Sequence, residues 1–288
     1  RRLLPRRTTT NVVAHAGDPG AGRTLVLVAH HDAAHSGLIF HPGIAPAAAR
    51  IAPKAYARND TSLQTGAVIV SGPALAAAGA LAGIRALRLA GMVIALGSVA
   101  AMADIARRPV VPGANDNLTA VAVLLAIAGR LAAEPVPGVR VLLVSTGSEE
   151  SFMEGMRGFV RRHRAELDPR HTTVLALECL GSDRLALLEG EGMVRVRDYD
   201  ERAKALVAAG AQDAGIPLWR GLRLGAGGTD ALPAMRAGIP AACLGAAGPF
   251  KVPSNYHWPT DTPENVHWET VQQAIDVAWA AVRRAATP

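Results

Sequence analysis

The sequence has little cysteine, few aromatic residues and no dense basic run interleaved with aromatics. Two cysteines, Cys179 and Cys243, cannot build a disulfide framework. Each ends an apolar, strand-like run, and two buried thiols fit that placement as well as one disulfide does, so the redox compartment stays open. The net charge of +6 and the pI near 10.0 raise the question of nucleic acid as a partner. Aromatics at 4 % and scattered basic residues answer it: no stacking platform is present and no nucleic acid is expected. The one local cluster, Arg161-Arg162-His163-Arg164, reads as a solvated helix face. The chain opens on Arg1, so a processed product or a missing upstream segment is expected.

What is present is apolar residue, half of the 288, enough for one large, well-buried α/β domain. β-branched apolar runs at Thr24–Ala29, Val139–Ser145, Thr173–Leu177 and Ala241–Leu244 predict strands. Between and after them, helical spacing predicts helices over Asn117–Ala133, Met156–Ala165, Asp200–Ala214 and Glu269–Ala286. This alternation implies a mostly parallel mixed sheet with helices on both faces, in a single catalytic domain over 1–288.

Charge is missing altogether from Thr65 to Ile84, 20 residues, and again from Leu89 to Ala103, 15 residues. Arg85 and Arg88 separate the two runs. A spanning helix needs about 20 apolar residues, so the first run is long enough and the second is short. These runs belong to a hydrophobic helical insertion at about 38–108 that interrupts the domain. Two readings stand: a membrane hairpin over 65–103, with Ala76, Gly79, Ala80 and Gly83 permitting close helix packing, or a soluble helical pair that caps the active-site crevice or packs on a second subunit. By the positive-inside tendency the hairpin reading puts the arginine tip in the cytoplasm and the domain outside it, so an extracytoplasmic or membrane-associated location is expected.

Open α/β sheets form their sites where loops leave the carboxyl ends of strands. The polar residues fall there. His30-His31-Asp32 follows the first strand, Glu149-Glu150 follows the second, and Glu178 ends the third. Asp116 sits in Gly113-Ala114-Asn115-Asp116-Asn117 at a helix start, and His257 in Tyr256-His257-Trp258-Pro259-Thr260-Asp261. Two imidazoles and three carboxylates suit two zinc ions with one carboxylate bridging, and a neighbouring carboxylate that is not a ligand can move a proton.

In these motifs and their order the chain resembles the zinc metallopeptidase family of the secreted bacterial double-zinc aminopeptidases and glutamate carboxypeptidase, with glutaminyl cyclases as a divergent branch. The resemblance covers about Asn11 to Val266. It implies that His30, Asp116 and Glu178 hold one Zn2+ and that Asp116, Glu150 and His257 hold the other. It further implies that Asp32 orients His30 and that Glu149 is the general base. The activity so implied is aminopeptidase-type hydrolysis of peptide substrates; the alternatives are a carboxypeptidase or glutaminyl cyclase of the same fold, or a non-catalytic, receptor-like scaffold. Two departures stand out. Glu178 occupies a place where the family most often has Asp, and Asp116 falls 86 residues after His30, where the resemblance implies about twenty, the excess being the insertion. His31 and His35 read as groups beside the site, Cys179 as an inert thiol, Asp230 as a pocket residue or a helix N-cap, and Asp261 as a support for the His257 loop.

Overall fold

The computed structural model describes residues 8–60 and 65–287. In chain order the elements are β1 (Val12–Gly17), β2 (Thr24–His30), α1 (Ile44–Ile51), α2 (Pro53–Arg58), α3 (Thr65–Leu81), α4 (Arg85–Ile105), α5 (Thr119–Ala133), β3 (Arg140–Thr146), α6 (Glu154–Arg162) and β4 (Thr172–Glu178). There follow β5 (Arg184–Leu187), β6 (Gly190–Gly192), β7 (Arg197–Asp198), α7 (Glu201–Asp213), β8 (Arg223–Gly225), α8 (Ala231–Arg236), β9 (Ala241–Ala247) and α9 (Trp268–Ala286).

Six strands form the main sheet in the order β1-β3-β2-β4-β9-β5. The inner four run parallel, and β1 and β5 close the edges antiparallel to β3 and β9. The parallel strands are buried on both faces, which is why they read as continuous apolar runs. In β2, Leu25, Leu27 and Ala29 point to one face, where they pack with Ile127 of α5, Val207 of α7 and Val277 of α9. Val26 and Val28 point to the other, against Met156 and Phe159 of α6 and Ala234 of α8. All four strands and four helices expected from sequence are present, with ends shifted by a few residues. Short β5, β6, β7 and β8 carry too few residues to show a period, and exposed β1 alternates weakly.

Parallel register brings the chemistry to one end of the sheet. His30 is level with Thr146, and Glu178 with Gly245. The insertion leaves the domain at a pinched neck: Ser36 N–H donates to Pro109 O (3.0 Å) and Val111 N–H to Ala34 O (2.9 Å). Beyond it α3 and α4 pack as an antiparallel pair with Gly72, Gly79 and Gly91 buried in the seam. A methyl group on Gly91 would overlap the backbone of Ala76, and one on Gly79 the backbone of Arg88, so these glycines set how closely the helices approach.

Candidate metal centre

Asp116 is the hub. Its Oδ1 lies 3.2 Å from His30 Nε2 and its Oδ2 lies 3.1 Å from His257 Nε2. Each imidazole meets a second carboxylate on the same nitrogen: Glu178 Oε1 at 3.4 Å from His30 Nε2, and Glu150 Oε1 at 3.3 Å from His257 Nε2. The five sequence-selected side chains thus form two matching halves, each an imidazole and a carboxylate, joined through the two oxygens of Asp116.

The chain fixes each contributor from behind. His30 ends β2, with Nδ1 3.0 Å from the Asp32 carbonyl oxygen and 3.6 Å from Asp32 Oδ1, which turns Nε2 toward the cluster. The Asp32 carboxylate also accepts the backbone N–H of Glu149 (2.9 Å) and of Glu150 (3.1 Å), so one side chain clamps the paired glutamates beside His30. Burial alone would raise the Asp32 pKa, but the His30 hydrogen bond and these two N–H donors outweigh it and lower it.

The Asp116 loop is framed by amides that composition did not single out. Asn117 Nδ2 donates to Leu177 O (2.9 Å) and its Oδ1 accepts from Cys179 N–H (2.9 Å), stitching the loop to the end of β4. Asn115 donates to Ser182 Oγ and Ser254 O and accepts from Gly181 N–H. Asp261, expected to support the His257 loop, anchors that loop through both oxygens to the Asp116 loop, accepting N–H of Asn115 (2.7 Å) and Asp116 (3.1 Å). One carboxylate thereby ties the loops of Asp116 and His257 together. Ser148, Cys179 and His257 adopt left-handed backbone, at φ 58, 51 and 49. Such geometry costs on the order of 1–3 kcal/mol per residue and persists where surrounding contacts impose it.

His257 has a wall that sequence reasoning missed. Phe40, in the first turn of the insertion, meets the imidazole edge-on at 4.5 Å, and Tyr256 stacks on it at 3.8 Å. His41 packs likewise on Trp258. An apolar residue in a region without pattern carries no signal for such a role.

The remaining candidates separate cleanly. His31 Nδ1 is 2.9 Å from Ser145 Oγ and His35 Nδ1 is 2.7 Å from Arg108 O, so both point away from Asp116. Cys179 Sγ stands within 4.8 Å of ligand atoms of Asp116 and Glu178, but burial and then the carboxylates of Asp116 and Glu178 push its thiol pKa well up, favouring the neutral form. Both cysteines are free and buried. Asp230 occupies the N-cap position of α8 without capping it; its Oδ2 accepts from Thr146 Oγ, and Oδ1 has no partner among the described residues. Burial raises its pKa to about 6.

The electrostatics ask for a cation. Asp116, Glu150 and Glu178 find their only ion-pair partners among the described residues in two imidazoles. Burial opposes a charged imidazole, yet the adjacent carboxylates win and raise His257 to about 10. Burial raises Glu178 to about 7, against the lowering pull of His30. Glu149 is pushed well above the ordinary carboxylate range by burial, with Glu178, Asp230 and Glu150 adding repulsion against the pull of His30. An excess of buried carboxylate around imidazole nitrogens is a donor set that fits zinc.

The cluster opens into a cleft of about 380 Å³ lined by Glu149, Glu150, Glu178 and His257, with Ile39 and Phe40 from the insertion on one wall and Gly225–Thr229 on another.

Several solved structures share the fold. A zinc aminopeptidase from Bacillus subtilis superposes with a TM-score of 0.55 at 19 % identity over 94 % of this chain and 49 % of its own. An aminopeptidase from Aneurinibacillus sp. strain AM-1 gives 0.55 at 19 % identity over 96 % and 48 %. The chain therefore spans about half the length of these aminopeptidases. A glutaminyl cyclase from Bacteroides thetaiotaomicron, bound to N-acetylhistamine, gives 0.60 at 15 % identity over 96 % of this chain and 77 % of its own. No curated protein sequence matches the chain. The profile of Peptidase family M28 matches residues 98–282, a span that begins inside α4 and takes in Asp116, Glu149, Glu150, Glu178 and His257 while leaving His30 upstream of the insertion. With well over half of its length covered by that profile, the chain belongs to peptidase family M28, the zinc metallopeptidases that its motifs resemble.

Proposed function

We propose that this chain is a two-zinc exopeptidase of the aminopeptidase type. The observation that carries the reading is the paired geometry at Asp116, whose two oxygens face different imidazoles, each already beside a second carboxylate. On this reading His30, Asp116 and Glu178 hold one ion, and Asp116, Glu150 and His257 hold the other. Zinc in such a site supplies Lewis acidity, which acidifies water and polarises a carbonyl.

The chain's own residues do the rest. Among the described residues the Glu149 carboxylate makes no hydrogen bond, while its backbone N–H is held by Asp32. A carboxylate fixed at its root and free at its tip is placed to take a proton from the attacking water on Oε and return it to the leaving amine. Asp32 acts through His30 and through this backbone clamp. The cleft, walled by Phe40 and the 225–229 segment, receives the terminal residue of a peptide and limits access of bulk water.

The test is metal content together with a substrate panel. Metal analysis of the purified chain is expected to give two zincs, and Asp116→Ala is expected to lose most of both, because both halves meet at its carboxylate. Hydrolysis of free aminoacyl anilides, with N-blocked dipeptides inert, supports the aminopeptidase direction. Cleavage of the blocked dipeptides supports a carboxypeptidase instead. One zinc with cyclization of N-terminal glutamine would replace the reading by the cyclase, and an absence of zinc by a scaffold.

A further inference from the structure

Among the described side chains the hairpin of α3 and α4 has no polar side. In α4 the residues facing α3 form a narrow stripe that includes Gly91, Ile94, Ala95 and Ser98. From Leu89 to Met102 every exposed position is apolar, with Val93 at 69 % and Leu96 at 67 % exposure. In α3, Val68, Val70 and Leu81 are likewise exposed, as are Ala74, Ala77, Ala78 and Ala80. The small residues that pack most closely are turned inward, onto the seam.

This pattern selects one occupant. A helix that caps a cleft or meets a second copy is apolar on the covered face and polar on the remainder, because the remainder stays in water. Here the apolar surface runs around the pair, and charge is confined to its ends, at Arg85 and Arg88 on the tip and at Asp104, Arg107 and Arg108 at the base. α4 has 21 residues, about 31 Å at 1.5 Å per residue, and α3 has 17, about 25 Å. The hydrocarbon core of a bilayer is about 30 Å thick, and long arginine side chains reach the interface from a turn inside a helix end. By contrast α5, also long and apolar, is a core helix with its inner face buried under the sheet.

We propose that the α3–α4 hairpin spans a lipid bilayer, with its Arg85–Arg88 tip on the face opposite the catalytic domain. The base of the hairpin is tied to the catalytic cleft. Leu38 N–H donates to Asp104 Oδ2 at 2.7 Å, and two residues on, Phe40 packs on His257. The bilayer surface therefore lies at the neck from which one wall of the cleft is built. The two tip arginines alone would put the tip in the cytoplasm, but Arg50, Lys54, Arg58, Arg107 and Arg108 flank the base and weigh the other way, so sidedness is left to the labelling below.

The test uses the full chain with single cysteines at two exposed positions, Ala86→Cys at the tip and Glu134→Cys on the catalytic domain. The native Cys179 and Cys243 are buried and give no background. Membranes of the expressing cells are floated on a density gradient, washed with alkaline carbonate, and treated with a membrane-impermeant maleimide as right-side-out and as inside-out vesicles. The chain is expected to float and to resist the wash. Each cysteine should react at least about tenfold better in one preparation, and the two should prefer opposite preparations, since the reagent cannot cross lipid. Reaction of both cysteines in the same preparation overturns the proposal. So does a chain that does not float, whether it is recovered as a monomer, a dimer or an aggregate. None of these readouts depends on peptidase activity.

Discussion

Glu149 and Glu150 are neighbours in sequence with opposite surroundings. Glu150 meets His257 at 3.3 Å, while the Glu149 carboxylate faces the cleft without a hydrogen-bond partner among the described residues. Replacing the unpartnered one removes a proton carrier without touching any contact of the cluster. Glu149→Gln is therefore expected to keep wild-type zinc content and lower kcat by at least about a hundredfold. Turnover within a few fold of wild type, with metal retained, would remove Glu149 from that role. The residues named here were legible because carboxylates and imidazoles directly after apolar runs have few structural uses. Glu178 after Leu175-Ala176-Leu177 and His30 after Leu27-Val28-Ala29 are such cases. Asn115, Asn117 and Phe40 were not. Their roles depend on partners far away in sequence, such as Ser182 for Asn115 and His257 for Phe40, and side chains of ordinary polarity give no hint of them. Asp261 carried a signal as a support of its own loop, but not the partner it uses, since its carboxylate bonds to a loop about half the chain away.

Between β3 and α6 the chain makes the turn that carries both glutamates, and a single glycine decides how closely that turn packs. A methyl group on Gly155 would overlap the Gly147 carbonyl oxygen and Asn11 Oδ1, and Asn11 itself bridges the two segments by donating to Gly155 O at 2.9 Å and accepting from Gly147 N–H at 3.3 Å. Backbone cannot give way as a flexible side chain can. Gly155→Ala is expected to destabilise the fold by roughly 1–3 kcal/mol, as overpacking does, and to lower kcat/KM by displacing Glu149. One turn's reach along the same helix, Gly158 has no heavy atom within 4 Å of an added methyl group. Gly158→Ala should instead stabilise by about 0.5–1 kcal/mol through helix propensity, leaving kinetics unchanged. Thermal melts of the two variants check the pair, and equal effects would show that the turn is not the constraint. At this scale the long elements were readable from period alone. β6 and β8, of three residues each, were not, since they are held by pairing with each other and with β7.

At the scale of the molecule, the parallel core and the apolar helix pair were both visible in sequence, the first as alternating apolar runs and the second as a loss of charge. What sequence could not place is the small sheet β7-β6-β8 and the acid it buries beside the cleft. Glu191 on β6 is fully buried; Oε2 accepts the Thr229 N–H at 2.6 Å, and Oε1 has no partner among the described residues. Burial raises its pKa from the ordinary 4.5 to about 8, the Thr229 bond offsetting only part. The native state therefore holds this proton where the unfolded chain has lost it. Below about pH 4.5 both states are protonated and the group contributes no slope. As pH rises from there to about 8, only the unfolded state ionises, and stability falls by about 1.4 kcal/mol per pH unit. Burial raises Asp230 into the same interval, so the whole curve does not isolate Glu191, but a comparison does. Glu191→Gln can still accept the Thr229 N–H and has no proton to lose. Its advantage over wild type in denaturant unfolding should be small at pH 5 and widen steadily toward pH 8. Parallel stability curves across that interval would mean that Glu191 is already ionised in the folded protein, its charge met by a partner.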